Sequence, residues 1–253
     1  MPLTLGGRRH ARGRPTIVLV HGAFTSASSW AGVISLLQAA GSTVHALANP
    51  LRGLVQDAAY IRSAVCEIDG PVVLVGHGYG GAVITQAATN VDHVMALCYI
   101  AAFGLDVGEN VLDIAERFAP VPGADMIFVT SHAGQTPGAQ EDEVYIRRNQ
   151  FHEVYAADLP VTVTEVMAVA QRPVTRSALT DRSGPPAWAS KPSWYAIAAA
   201  DKLINPTAQR FMAQRMAATE TVLEGSHAVV HSKPAAVVSM IQDAADAGLG
   251  RSV

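Results

Sequence analysis

The stretch that most constrains this sequence is Pro71 to Gly81, PVVLVGHGYGG, in which a short apolar run ends in a cluster of glycines. Continuous apolar runs are typical of strands buried on both faces of a parallel sheet. Glycines directly after such a strand permit a sharp turn and close packing of the next helix. Because helical spacing resumes at Gly80, the stretch predicts a strand, a tight elbow and a helix.

Similar units occur on both sides of this elbow. Strands alternating with helices of ten to fifteen residues predict right-handed crossovers and a mostly parallel sheet, which is the α/β class. The strands are predicted at 16–20, 44–48, 72–75, 94–101, 194–199 and 219–223, and the main helices at 30–41, 54–68, 80–90, 206–217 and 234–246.

The alternation stops between residues 104 and 191, where Pro120, Pro122, Pro137 and Pro160 interrupt the chain. Helical patches around 142–156 and 161–170 indicate an inserted helical cap over 104–191. The sheet core is then formed by 16–103 and 192–253. Residues 1–15 contain the basic run RRHARGR and are predicted to be a flexible basic tail.

Length and bulk composition favour one large globular domain. The chain has 253 residues, of which 49% are hydrophobic and 15% are charged, enough for a packed core. A net charge of -3 gives no reason to expect nucleic acid or an anionic membrane as partner. No apolar run approaches the roughly 18 residues of a membrane span. The composition does not indicate an oligomeric state.

The cysteines and histidines argue against disulfides and metals. Cys66 and Cys98 are predicted to be buried free thiols, and a reducing cytoplasm is the expected compartment. His227 and His231 stand four residues apart, but a helix start follows them and a third ligand is lacking. We therefore expect no metal and no cofactor.

The glycines of the elbow also match a second pattern. Gly76, Gly78 and Gly81 satisfy G-x-G-x-x-G between a strand and a helix, as in dinucleotide-binding folds. That fingerprint normally opens the first strand-helix unit and is followed about 20 residues later by an acidic residue. Here two units precede the elbow, and the next strand runs into Ala101 and Ala102. Nucleotide binding is therefore the weaker interpretation.

Five stretches together resemble the α/β-hydrolase superfamily, specifically its small bacterial esterase-like members related to plant methylesterases and hydroxynitrile lyases. They are VLVHGAF, LVGHGYGG, ALCYIAAF, SWYAIAAADKLINP and GSHAVVHSKP. The resemblance covers nearly the whole chain from Thr16. Positions 78, 201 and 227 fall in the family's order of nucleophile, acid and histidine, each just after a predicted strand.

The resemblance implies a site built from side chains and backbone amides. Asp201 matches the acid and His227 the base, with the carboxylate fixing the imidazole tautomer. The amides of Ala23 and Tyr79 match the oxyanion-hole donors. His21 is expected to shape its loop, and His77 to pack or to hydrogen-bond behind the site.

The substrate implied by the resemblance is a small to medium, largely apolar carbonyl compound. Such pockets are mostly apolar with few polar groups, and about a third of the candidates are expected to contact the ligand. The expected lining residues are Phe24, His77, Phe128, Phe151, His152, Tyr155 and Met167, with Phe118, Gln171 and Arg172 as further candidates.

The sequence departs from the family at Gly78, which occupies the nucleophile position and carries no hydroxyl. Three hypotheses stay open. The chain is an inactivated or very weak member of an ester- or lactone-hydrolysing lineage. Alternatively, it is a serine-independent lyase, isomerase or cyclase, or it promotes direct attack by water, with His227 as general base. The third hypothesis is a small-molecule-binding protein without catalysis.

Overall fold

The computed structural model describes residues 13–123, 127–133 and 140–249. Its strands are β1 (Thr16–Val20), β2 (Val44–Leu47), β3 (Val72–His77), β4 (Val94–Ile100), β5 (Ile127–Ala133), β6 (Gln140–Ile146), β7 (Val174–Thr175), β8 (Ser193–Ala198) and β9 (Thr219–Leu223). Its helices are α1 (Ala31–Ala39), α2 (Leu54–Cys66), α3 (Tyr79–Ala87), α4 (Val111–Arg117), α5 (Phe151–Tyr155), α6 (Val161–Ala170), α7 (Arg176–Thr180), α8 (Pro206–Arg215), α9 (Val229–Ser232) and α10 (Pro234–Leu249).

Six strands form a parallel sheet in the order β2-β1-β3-β4-β8-β9, which confirms the predicted fold class. Strand β1 shows how the sheet divides the core, because successive side chains point to opposite faces. Val18 and Val20 pack with residues of α2, α3 and α8, whereas Ile17 and Leu19 pack with residues of α1 and α10. The sheet is therefore covered by helices on both faces, and its strand ends carry the loops of the site.

The predicted strands and helices of the sheet core are confirmed to within a few residues at their ends. The sequence prediction omitted α4, α7 and α9. Helix α4 begins with a capping box, in which the Asn110 side chain accepts from the Asp113 amide at 2.8 Å. That pattern marks a helix start and was readable from Asn110 to Arg117.

The region 104–191, called the cap below, is not purely helical. It contains a three-stranded antiparallel sheet in the order β5-β6-β7. The predicted helical patch at 142–156 is wrong over its first part, because Asp142–Ile146 pairs with Ile127–Ser131 in a β-ladder. Val144 and Ile146 are buried at alternate positions, but acidic neighbours obscure that period of two.

Two smaller expectations have different outcomes. Cys98 is buried as predicted, whereas Cys66 is exposed at the end of α2, so its predicted burial was wrong. Of the predicted basic tail, residues 1–12 lie outside the described residues. Arg14 is described, and its guanidinium donates to the Ala40 carbonyl at 3.3 Å. None of the described helices is both long and apolar enough to span a membrane.

Candidate active site

The elbow between β3 and α3 is built around Gly78. This residue has φ 55° and ψ -122°, a conformation in which glycine is favoured over other residues. The flanking glycines serve packing. A Cβ atom on Gly76 would lie 2.6 Å from the Gly80 carbonyl oxygen, and one on Gly80 would lie 2.4 Å from the Val20 carbonyl oxygen. Because Gly76 and Gly80 have no Cβ atom, the start of α3 can pack closely against the sheet.

Asp201, after β8, and His227, after β9, form a buried pair. His227 Nδ1 lies 2.8 Å from Asp201 Oδ2. The same carboxylate accepts the amides of Leu203 and Ile204 on Oδ1, at 2.8 and 2.9 Å, and Gln209 Nε2 on Oδ2 at 2.8 Å. A carboxylate surrounded by donors acts as an acceptor, so Nδ1 of His227 carries the proton. Nε2 therefore presents a lone pair.

The free nitrogen of His227 faces the elbow. A Cβ atom placed on Gly78 would lie 3.1 Å from His227 Nε2 and 3.4 Å from its Cε1. A hydroxyl at this position would be within reach of the imidazole, but Gly78 has no side chain to supply one. The structure thus brings together positions 78, 201 and 227.

Two backbone amides border the same space. Gly22 lies against the elbow, since a Cβ atom there would be 3.3 Å from the Tyr79 nitrogen and 2.7 Å from the His77 carbonyl oxygen. Ala23 and Tyr79 both line the cavity above Gly78. Within the described parts of the chain, neither amide has a hydrogen-bond partner. Such paired donors can stabilise negative charge on a carbonyl oxygen.

His21 fixes the loop that carries Ala23. Its Nδ1 lies 2.8 Å from the Gly22 carbonyl oxygen, and its Nε2 accepts the Asn49 amide at 3.0 Å. The Asn49 side chain returns a hydrogen bond to the His21 carbonyl at 3.0 Å. Burial lowers the pKa of His21 to about 4. The imidazole is therefore neutral and braces this loop from within the protein.

His77 and Tyr155 lie behind His227. His77 Nε2 is 2.9 Å from the His227 carbonyl oxygen, and the two imidazole rings are 4.6 Å apart. The Tyr155 ring lies 5.1 Å from that of His227. Burial holds the pKa of His77 well below its usual range. Both residues therefore support His227, and neither lines the cavity.

The cavity itself has a volume of about 460 Å³ and opens between the sheet core and the cap. Few polar side chains are among its lining residues, chiefly those of His227, Glu116 and Asn205. The Tyr79 hydroxyl points away and donates to Asp57 at 2.9 Å. The apolar lining residues are Phe24, Phe103, Val111, Leu112, Ala115, Phe118, Ala119, Pro120, Val121, Ile127, Val144, Leu179, Leu203 and Ile204.

The expected lining residues are only partly at this cavity. Phe24 and Phe118 line it. Phe128 and Gln171 line a separate depression of about 250 Å³ on the cap. Phe151 and Tyr155 are fully buried, and Met167 packs against the core. His152 Nδ1 is 3.2 Å from the Thr164 hydroxyl, and Arg172 accepts the Phe24 amide through its carbonyl.

The sequence analysis missed the wall formed by α4, including Val111, Leu112 and Ala115. The capping box and the apolar spacing of this helix were the available signal. Among the residues that the structure describes, no three His, Cys, Asp or Glu side chains are placed to hold an ion.

Known proteins resemble this chain over most of its length. Alpha/beta hydrolase nvfD from Aspergillus novofumigatus is 25% identical, over 92% of this chain and 97% of that protein. A pyrethroid hydrolase from Sphingobium wenxiniae is 28% identical, over 91% of this chain and 88% of that protein.

Solved structures share the fold. Polyneuridine aldehyde esterase superposes with a TM-score of 0.77 at 19% identity, over 91% of this chain and 98% of that one. The methylesterase MES16 from Arabidopsis superposes with a TM-score of 0.75 at 22% identity, over 92% and 99%. The family model described as "Alpha/beta hydrolase family" matches residues 17–240. This chain therefore belongs to the alpha/beta hydrolase family.

Proposed function

We propose that this chain is an enzyme of an ester- or lactone-hydrolysing lineage that lacks its nucleophile at Gly78. Its substrate is a small, largely apolar carbonyl compound. The named relatives support the lineage, since they include a pyrethroid hydrolase and esterases. The cavity supports the substrate class, because its lining residues are mainly apolar and include few polar side chains.

One observation carries the proposal: His227 Nε2 lies 3.1 Å from the place where a side chain at position 78 would begin. Nδ1 of the same ring is held by Asp201 at 2.8 Å. Base, acid and elbow thus have the mutual geometry of a triad, with one member absent. The amides of Ala23 and Tyr79 are the proposed oxyanion hole.

Without a hydroxyl, no acyl-enzyme can form at position 78. Removing the nucleophile of a comparable triad lowers turnover by about 10⁶, and the remaining site still gives roughly 10³ to 10⁴ over water. The protein is therefore a very weak esterase as it stands. Its oxyanion hole is unaffected by the glycine, because both donors belong to the backbone.

A second candidate is a serine-independent enzyme in which His227 acts as general base. The observation that favours it is the complete hydrogen bonding of Asp201, which still fixes the tautomer of His227. A base so held can abstract a proton while the amides stabilise an enolate or alkoxide. Lyase, isomerase or cyclase chemistry would follow.

Restoring the hydroxyl tests the first candidate. We expect Gly78→Ser to hydrolyse p-nitrophenyl butyrate at least about 10³-fold faster than the unaltered protein, since the rest of the triad is in place. The serine must accept a positive φ, which costs roughly 1 to 3 kcal/mol of stability and lowers the melting temperature.

The control is Gly78→Ser combined with His227→Ala, in which the gain should disappear. A folded Gly78→Ser protein that binds the ester without hydrolysing it faster would contradict the proposal. That result would favour the second candidate, in which His227 is the general base of a serine-independent reaction.

A further inference from the structure

Gly78 differs from the other glycines of the elbow in what surrounds it. Cβ atoms on Gly76, Gly80 and Gly81 would lie 2.6, 2.4 and 2.6 Å from backbone atoms, so packing requires these glycines. The atoms nearest to a Cβ atom on Gly78 would be Nε2 and Cε1 of the His227 side chain, at 3.1 and 3.4 Å, and the Gly22 Cα, at 3.7 Å. Close packing against the backbone therefore does not require a glycine at position 78. The glycine at position 78 instead leaves the space in front of His227 Nε2 without a side chain from the elbow.

This space suits a small neutral molecule with an O–H group. His227 Nε2 is an acceptor because Asp201 holds the proton on Nδ1, and no described side chain or amide hydrogen-bonds to Nε2. Gly78 and His227 both line the cavity of about 460 Å³, and this volume gives room for a small molecule in front of Nε2. The other lining residues are mainly apolar, and among the described ones there is no Lys or Arg that would hold an anion.

The same molecule would face the carbonyl of a bound ester. Ala23 and Tyr79, whose amides can hold the carbonyl oxygen, line the cavity together with Gly78 and His227. An oxygen that donates its proton to Nε2 therefore directs a lone pair into the space where the ester carbon lies. This is the arrangement that general-base catalysis needs, with acceptor and ester held side by side.

We infer that the part of the cavity in front of His227 Nε2 and beside Gly78 binds a small protic acyl acceptor, and that the chain transfers an acyl group from an ester to this acceptor without an acyl-enzyme intermediate. The acceptor is water or a short primary alcohol. Its oxygen attacks the ester carbon while Nε2 takes its proton. The tetrahedral intermediate then expels the leaving alkoxide, which receives that proton. The products are an acid or a new ester, together with the released alcohol. The inference rests on the proposed function and adds an acceptor site to it.

The test uses the unaltered protein, p-nitrophenyl butyrate and methanol. We expect both p-nitrophenol release and methyl butyrate formation to rise with methanol and to saturate, because the acceptor must attack before the leaving group can depart. Release should show no burst. An equal concentration of tert-butanol, a hindered tertiary alcohol that attacks esters far more slowly than methanol, controls for solvent effects and should not increase the rate.

Three variants test whether the methanol-dependent rate arises at this site. Gly78→Ala places a methyl group in the acceptor position and should lower the methanol-dependent rate at least about tenfold. His227→Ala should lower it by about 10² or more, the range for loss of a general base. Gly70→Ala is the matched control, because Gly70 also has a positive φ, 85°, with nothing within 4 Å of its Cβ position. It shares the backbone strain and should leave the rate unchanged.

The outcomes separate the two proposals. A methanol-independent rate, a rate equal to that in tert-butanol, or an undiminished rate in Gly78→Ala would each overturn the acceptor site. If Gly78→Ser gained activity in any of these cases, the proposed ester- or lactone-hydrolysing lineage would stand without the acceptor site. If methanol saturated but Gly78→Ser gained nothing, the acceptor site would stand and the missing-nucleophile proposal would fail.

Discussion

The two halves of the cavity wall differ in the kind of residue they supply. The sheet core contributes Gly78, His227, Ala23 and Tyr79, which follow strand ends, together with apolar side chains such as Phe24. The cap contributes mainly apolar side chains, such as Leu112 and Ile127. Because polar groups that touch the reacting atoms need exact geometry whereas apolar walls need only shape, the core should govern chemistry and the cap selectivity.

The sharpest test of the core half is Asp201→Asn in the Gly78→Ser background. Oδ1 accepts two backbone amides, so the new amide group would face His227 and Gln209 from the position of Oδ2. His227 would then accept on Nδ1 and carry its proton on Nε2. We expect turnover to fall by about 10⁴, as for a comparable triad.

The turnover of this variant is measured at several pH values, and circular dichroism checks that the protein is folded. Turnover within tenfold of the Asp201 parent would show that the carboxylate does not set the tautomer. The division between core and cap would then lose its chemical basis.

Acid should weaken the core through His21. Its pKa is about 4 in the folded protein against an ordinary value of 6.5, so between these values the unfolded chain binds a proton that the folded chain does not. The part of the free energy of unfolding that depends on His21 is therefore fully present above pH 6.5. It falls by about 1.4 kcal/mol per pH unit as the pH drops towards 4, which is a loss of about 2 kcal/mol at pH 5.

Urea unfolding at pH 7 and pH 5 measures this loss. His21→Gln keeps an acceptor for the Asn49 amide but does not titrate, so its loss over the same interval should be smaller by about 2 kcal/mol. His77, which titrates in both proteins, cancels in the difference. Equal losses in the two proteins would mean that His21 is not the acid-sensitive group.

The smallest expected effect belongs to the cap. Leu112→Ala, in the Gly78→Ser background, removes apolar surface from the wall and should raise KM for p-nitrophenyl butyrate about tenfold, while kcat changes little. Val107→Ala is the matched control, because Val107 is 63% exposed and is not a lining residue. A fall in kcat as large as that expected for Asp201→Asn would break the comparison.

The difference between core and cap also explains which strands and helices could be predicted from the sequence. The core strands were predicted closely because strands buried on both faces, such as Thr16–Val20, leave an unambiguous apolar run. In the cap, the stretch 142–146 was assigned to a helix because its strand pairing with residues 127–131 depends on a segment that is distant in the sequence. Phe151 and Tyr155 were expected in the pocket, since apolar spacing cannot distinguish a lining residue from a core residue.

Local patterns of residues were enough to predict the parallel α/β fold, and the absence of a hydroxyl at position 78 is read directly from the sequence. The meeting of Asp201, His227 and Gly78, and the place of α4 in the cavity wall, could be read only from the three-dimensional structure. Those distances join positions that are 26 or more residues apart in the chain. They follow from the order of the strands and the packing of helices, which no short stretch of sequence encodes.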